Sequence, residues 1–145
     1  MMNNPSSDLL ANMRRAHLAI ERTIDKILAV IRTYPLAKGY LAELDDQVSA
    51  HIKRQDQIFF EELKGRFSGK RESLKLIEFL EVDTKAIKVY ILEFFEKYLG
   101  NINPVDECNF PIDFKRFSDE ISIRLIHEKD CLFPLLTDQA VDDVQ

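Results

Sequence analysis

Along most of this chain apolar residues recur at alternating steps of three and four, the spacing that lays them on one face of a helix. Leu10, Met13, His17, Ile20, Ile24, Ile27 and Ile31 form the first stripe and predict a helix over 8–33, with Asn4-Pro5-Ser6-Ser7-Asp8 as lead-in and N-cap. Tyr34-Pro35 ends it, because proline lacks a backbone donor and restricts the residue before it, and Gly39 lies in the connection. Leu41, Leu44, Val48, His51, Gln55 and Ile58 predict a second helix over 39–66, and Phe67-Ser68-Gly69-Lys70 is the next break. A third stripe, Ile77, Leu80, Thr84, Ile87, Ile91, Phe94 and Tyr98, predicts a helix over 70–99. Residues Asn101 to Pro111 carry two prolines, three asparagines and no periodicity, so they read as the one long loop. Phe117, Ile121, Arg124, Glu128, Cys131 and Leu135 predict the last helix over 112–136, with Pro134 near its end and 137–145 as a mobile acidic tail. Strand alternation is absent. Four helices with short first and second connections predict an all-α antiparallel four-helix bundle, one domain over 1–145.

Each stripe is interrupted near its middle by polar residues: His17, then His51 and Gln55, then Thr84, then Arg124 and Glu128. In an antiparallel bundle those middles meet at one level, so the six residues form a polar layer in the core. An arginine and a carboxylate inside an apolar stripe are costly unless paired and hydrogen-bonded. Arg124 and Glu128, one turn apart, are natural counter-ions.

The 145 residues suffice for one domain with a sizeable core, and 46% hydrophobic with 31% charged residues is a globular balance. A net charge of −5 disfavours a nucleic-acid-binding face and allows a basic protein partner. Acidic groups cluster on the outward faces at Glu43, Asp45 and Asp46, at Glu61 and Glu62, and at Asp119 and Glu120. Cys108 and Cys131 match no metal or redox spacing and read as reduced thiols. With no basic leader and no run near the ~20 apolar residues that span a bilayer, the expectation is a cytoplasmic protein without membrane contact. No nucleophile and base stand at a suggestive spacing, so no catalytic residue and no enzyme activity are expected.

Two family resemblances bear on the polar layer. The pairs His51/Gln55 and Arg124/Glu128, the single His17 and Thr84, and Leu132-Phe133-Pro134 are similar in placement to the metal-binding pattern of hemerythrin-like proteins. Gln55, Thr84 and Arg124 stand where ligands would be, however, and a guanidinium repels a cation instead of binding it. No metal and no cofactor are therefore expected. A degenerate metal bundle is one alternative, and a helical interaction domain whose polar layer only fixes helix register is another.

The second resemblance accounts for the residues that count against metal. His17-Leu18-Ala19-Ile20-Glu21-Arg22, Ser49-Ala50-His51 with Phe59-Phe60-Glu61-Glu62 behind it, Leu80-Glu81-Val82-Asp83-Thr84-Lys85-Ala86-Ile87, and Arg124-Leu125-Ile126-His127-Glu128 followed by Leu132 resemble, in order and spacing, segments of the Rsd/AlgQ family of bacterial transcription regulators. The family's Trp after the first-helix Arg is absent here, where Thr23-Ile24 stand. The resemblance implies anti-sigma activity: binding to the C-terminal, promoter-recognising domain of the housekeeping RNA polymerase sigma factor, with no direct nucleic-acid contact. Arg14, Glu21, Arg22, Glu61 and Glu62 are the residues expected to meet that partner, and the protein is expected to be a monomer or weak dimer.

Overall fold

A computed structural model describes residues 5–137; Asn4 of the expected lead-in and the expected tail beyond Thr137 lie outside them. The described residues are helical apart from short connections, with no strand among them. They make four helical runs: α1 (Pro5–Ala29), α2 (Tyr34–Arg54) continued through a π-helical turn (Gln55–Phe59) into α3 (Phe60–Arg66), α4 (Arg71–Leu99), and α5 (Pro104–His127) continued through a second π-helical turn (Glu128–Leu132) into α6 (Phe133–Thr137).

Four expected boundaries move. The first helix begins at Pro5, not 8, so Asp8, expected as part of the N-cap lead-in, stands in its first turn, where a carboxylate suits the helix dipole. The first helix stops at Ala29 instead of 33, and Val30 and Thr33 donate to the carbonyls of Ile27 and Val30 in tight turns. The second begins at Tyr34, ahead of the expected 39, because Pro35 falls in its first turn, where a missing N–H has no helical partner to lose. The long loop expected over Asn101 to Pro111 shrinks to a few residues. Asn103 caps α5, its side chain accepting from the Asp106 N–H at 2.8 Å, and Pro104 follows in the first turn. Pro111 is accommodated inside the helix between Phe110 and Phe114, both fully buried.

The two π turns change which residues face inward. A π turn inserts one residue into the α-helical repeat, so every apolar position beyond it moves by one. Ile58, placed inward by the α-helical stripe, is 50% exposed, while Phe59, Phe60 and Leu63 are fully buried. In the last run Cys131 and Leu135 are only partly buried, and Leu132 and Leu136 take the inner positions. Both turns begin at a polar residue of an i, i+4 pair, Gln55 and Glu128.

The core falls into two apolar clusters. One joins the C-terminal half of α1 (Ile20, Ile27), the start of α2 (Leu41, Leu44), the end of α4 (Phe94, Tyr98) and α5 (Phe114, Phe117), with Phe94 and Phe117 stacked at 4.0 Å between ring centroids. The other joins the start of α1 (Leu10, Met13), the π turn and α3 (Phe59, Leu63), the start of α4 (Ile77, Leu80) and the last π turn with α6 (Leu132, Phe133). In every run a polar residue of the stripe, His17, Gln55, Thr84 or Glu128, lies in sequence between its contributions to the two clusters, and His51 and Arg124 come one residue before the last member of the first cluster on their runs.

The phase shift predicts unequal costs for adjacent residues. Phe59→Ala should destabilise the fold by about 3–5 kcal/mol, and Ile58→Ala by less than about 1 kcal/mol, in urea unfolding. Equal losses at the two positions would mean that the π turn does not set the register.

Candidate functional site

At the junction of the two apolar clusters lies a set of buried polar side chains contributed by every run. His17 on α1, His51 on α2, Gln55 at the first π turn, Thr84 on α4, Arg124 on α5 and Glu128 at the second π turn are all buried. Their centre is the Glu128 carboxylate. Its Oε1 accepts from Nε2 of His17 at 2.7 Å and from Nε2 of His51 at 2.8 Å, and its Oε2 accepts from Nε of Arg124 at 2.8 Å. An ionised carboxylate oxygen only accepts, so both imidazole Nε2 atoms carry the proton. The two rings meet edge to face, with centroids 4.9 Å apart.

Arg124 connects this carboxylate to α4. Its Nη1 donates to the Leu80 carbonyl at 3.2 Å and to Asp83 Oδ2 at 3.0 Å, and its Nη2 donates to the Thr84 hydroxyl. Thr84 in turn donates to the Leu80 carbonyl at 2.8 Å. The guanidinium fork thereby bridges a fully buried acid and a half-exposed one, the geometry that favours arginine over lysine. Burial pushes the Glu128 carboxyl up, but the hydrogen bonds from His17 and His51 and the electrostatic pull of His51 and Arg124 outweigh it and hold the group far below the usual carboxylate range.

Gln55 behaves differently from its neighbours. It is fully buried, yet neither amide atom has a protein partner, and it borders a cavity of about 20 Å3 that His51, Arg124 and Glu128 also line. Nothing in the stripe pattern distinguished it from the hydrogen-bonded members. Asp83, which sequence reasoning placed only within a matching segment, is the additional member of the network, and its position one residue before Thr84 was the available signal.

His17, His51 and Glu128 offer ligand atoms that lie within 4.8 Å of one another, close enough to be tested as a metal site. The donor set does not fit one. Ligation through Nε2 would move the ring proton to Nδ1, and Nδ1 of His51 is buried without a partner, whereas ligating histidines as a rule donate that proton to a second group. Glu128 is already neutralised by Arg124, whose fixed positive charge would stand beside any cation.

Above the cluster, α1 and the last run leave a surface cleft. Two hollows of about 480 and 350 Å3 share His17, Glu21 and Lys129 in their walls, and together they run past Arg14, Leu18, Asp25, Ile126 and Phe133. Leu18 and Ile126 are exposed there. Of the residues expected to meet a partner, Arg14 and Glu21 line this cleft; Arg22 and Glu61 are exposed elsewhere, and Glu62 is half-buried beside Arg66 at 3.6 Å. Comparison of the chain with known proteins finds no matching family model, no matching curated protein and no matching solved structure.

The network predicts that Arg124→Met costs about 3–5 kcal/mol by stranding the buried carboxylate, and that Arg124→Met combined with Glu128→Leu recovers much of that loss. Equal damage from the single and the double variant in denaturant titration would show that the two residues are not coupled. The pH dependence follows from Glu128. Its folded-state value is depressed, so its stabilisation is present above the ordinary value of 4.5 and is lost as the pH falls below it. Glu128→Gln should flatten the acid limb of the stability profile, and an unchanged limb would contradict the assignment.

Proposed function

We propose that this chain is a non-catalytic cytoplasmic regulator that binds the promoter-reading C-terminal domain of a housekeeping sigma factor. Its four helical runs, on this reading, close as an antiparallel bundle with the buried cluster as a polar layer across its middle. The alternation of the two apolar clusters supports that arrangement: the start of α1 shares a cluster with the ends of the second and fourth runs and the start of α4.

One observation carries the functional reading. Thr84 and Arg124, two of the three residues by which the chain departs from a metal-binding pattern, are hydrogen-bonded to each other, and Arg124 is hydrogen-bonded to Glu128. The same residues carry the resemblance to the Rsd/AlgQ regulators. They occupy the place of a metal with a fixed internal cation, which supports a rigid binding scaffold over a reaction centre.

The cleft supplies a docking face of suitable chemistry. Its exposed Leu18 and Ile126 suit the apolar side of a partner helix, and Glu21, Asp25 and Asp130 suit basic residues beside it. A sigma domain reads promoter DNA through basic groups on a helix, so an acidic bundle covering that helix competes with its phosphate contacts.

Two measurements test this reading. The purified chain, titrated against the isolated C-terminal domain of the sigma factor, should bind, and binding should weaken with added salt, which screens charges over about 10 Å at 0.1 M. Glu21→Lys should weaken it further with helicity unchanged. No binding at low salt would sink the proposal. Elemental analysis should find no stoichiometric iron or zinc; about two irons per chain, the content of a di-iron bundle, would replace it with a metal-binding reading.

A further inference from the structure

Helix α4 carries a second apolar stripe that the fold leaves uncovered. Its inner stripe, which includes Ile77, Leu80, Thr84, Ile91 and Phe94, is buried against the other runs. On the opposite side Phe79, Val82, Ala86 and Val89 follow one another at steps of three, four and three, the a/d spacing of a coiled-coil seam. All four are exposed, Phe79 by 67%, Val82 by 65% and Val89 by 57%. A helix apolar on two opposed faces needs a covering from outside the fold for one of them. The same steps continue to exposed Lys75 at one end and exposed Glu93 at the other, about five turns apart.

We propose that this face pairs two copies of the chain, α4 against α4, antiparallel about a twofold axis. The seam is self-complementary in that direction. Phe79 of one copy meets Val89 of the other, Val82 meets Ala86, and Lys75 meets Glu93, each contact occurring twice. A parallel pair would set Lys75 on Lys75 and Glu93 on Glu93, so charge selects the antiparallel one. Exposed Leu76 and Leu92 flank the seam and widen it. Two features keep the pair weak and reversible: the seam is shorter than three heptads, and the two Lys85 side chains face each other near the axis. Asp83, also near the axis, has its charge engaged by Arg124 at 3.0 Å. The pairing does not rest on the sigma-factor reading, whose cleft lies on α1 and the last run.

Sedimentation equilibrium of the full chain from micromolar to millimolar concentration tests the pairing. The mean mass should climb towards that of a dimer, and Val82→Asp should hold it at that of a monomer. Lys75→Glu and Glu93→Lys should each weaken self-association by about tenfold or more, because each puts like charges at both ends of the seam. Mixing those two variants should restore a dimer, since every end layer then again opposes a lysine to a glutamate. Because the substituted side chains are exposed, circular dichroism should show unchanged helicity. A chain that stays monomeric at millimolar concentration, a dimer indifferent to Val82→Asp, or no recovery on mixing would each overturn the proposal.

Discussion

A single buried carboxylate organises this molecule. Glu128 is buried to within 1% of its surface, and leaving its charge unpaired there would cost several kcal/mol. Three donors from three helical runs converge on it: His17 from α1, His51 from α2 and Arg124 from α5. Through Arg124 the same charge is tied to Thr84, Asp83 and the Leu80 carbonyl on α4. Apolar packing is non-directional and would tolerate sliding of one helix against another. The directional bonds at Glu128 and Arg124 tie side chains or backbone of all four runs to one carboxylate.

The π turns belong to the same constraint. Each begins at a polar member of the cluster, Gln55 or Glu128, and each rotates the following helix by one residue. Downstream of Gln55 this turns Phe59 and Phe60 inward and Ile58 outward; downstream of Glu128 it turns Leu132 and Phe133 inward. Phe133 then packs on the His17 ring at 4.8 Å between centroids. The aromatic floor under the cluster therefore depends on a backbone irregularity at the cluster itself.

Most of the fold was legible in the apolar spacing, because each run needs one continuous buried face. The polar interruptions were legible too: His17, His51, Thr84, Arg124 and Glu128 are all buried, as residues of an inner stripe must be. What stripes cannot convey is the consequence of an inserted residue. A strict 3.6-residue period has no means of signalling a π turn, so Ile58 was set on the wrong side, and Cys131 and Leu135 were set at inner positions that Leu132 and Leu136 take while they pack only partly buried beside them. Proline was misread for a similar reason. It ends a helix from within but begins one from its first turn, and Tyr34-Pro35 and Asn103-Pro104 are beginnings. The spacing also could not separate Gln55, buried without a protein partner, from its hydrogen-bonded neighbours, since that depends on the reach of side chains across runs.

The functional reading stands on the identity of what faces Glu128. With two imidazole N–H groups and a guanidinium there, the cluster is an internal ion pair whose hydrogen-bonding groups are already engaged at Glu128. With a metal there, the same histidines would present lone pairs instead of protons. Nitrogen and proton NMR of the histidine side chains in the purified chain at neutral pH separates the two. Nε2 of both His17 and His51 should carry a proton held in a hydrogen bond to Glu128. An unprotonated Nε2 on either ring would contradict it.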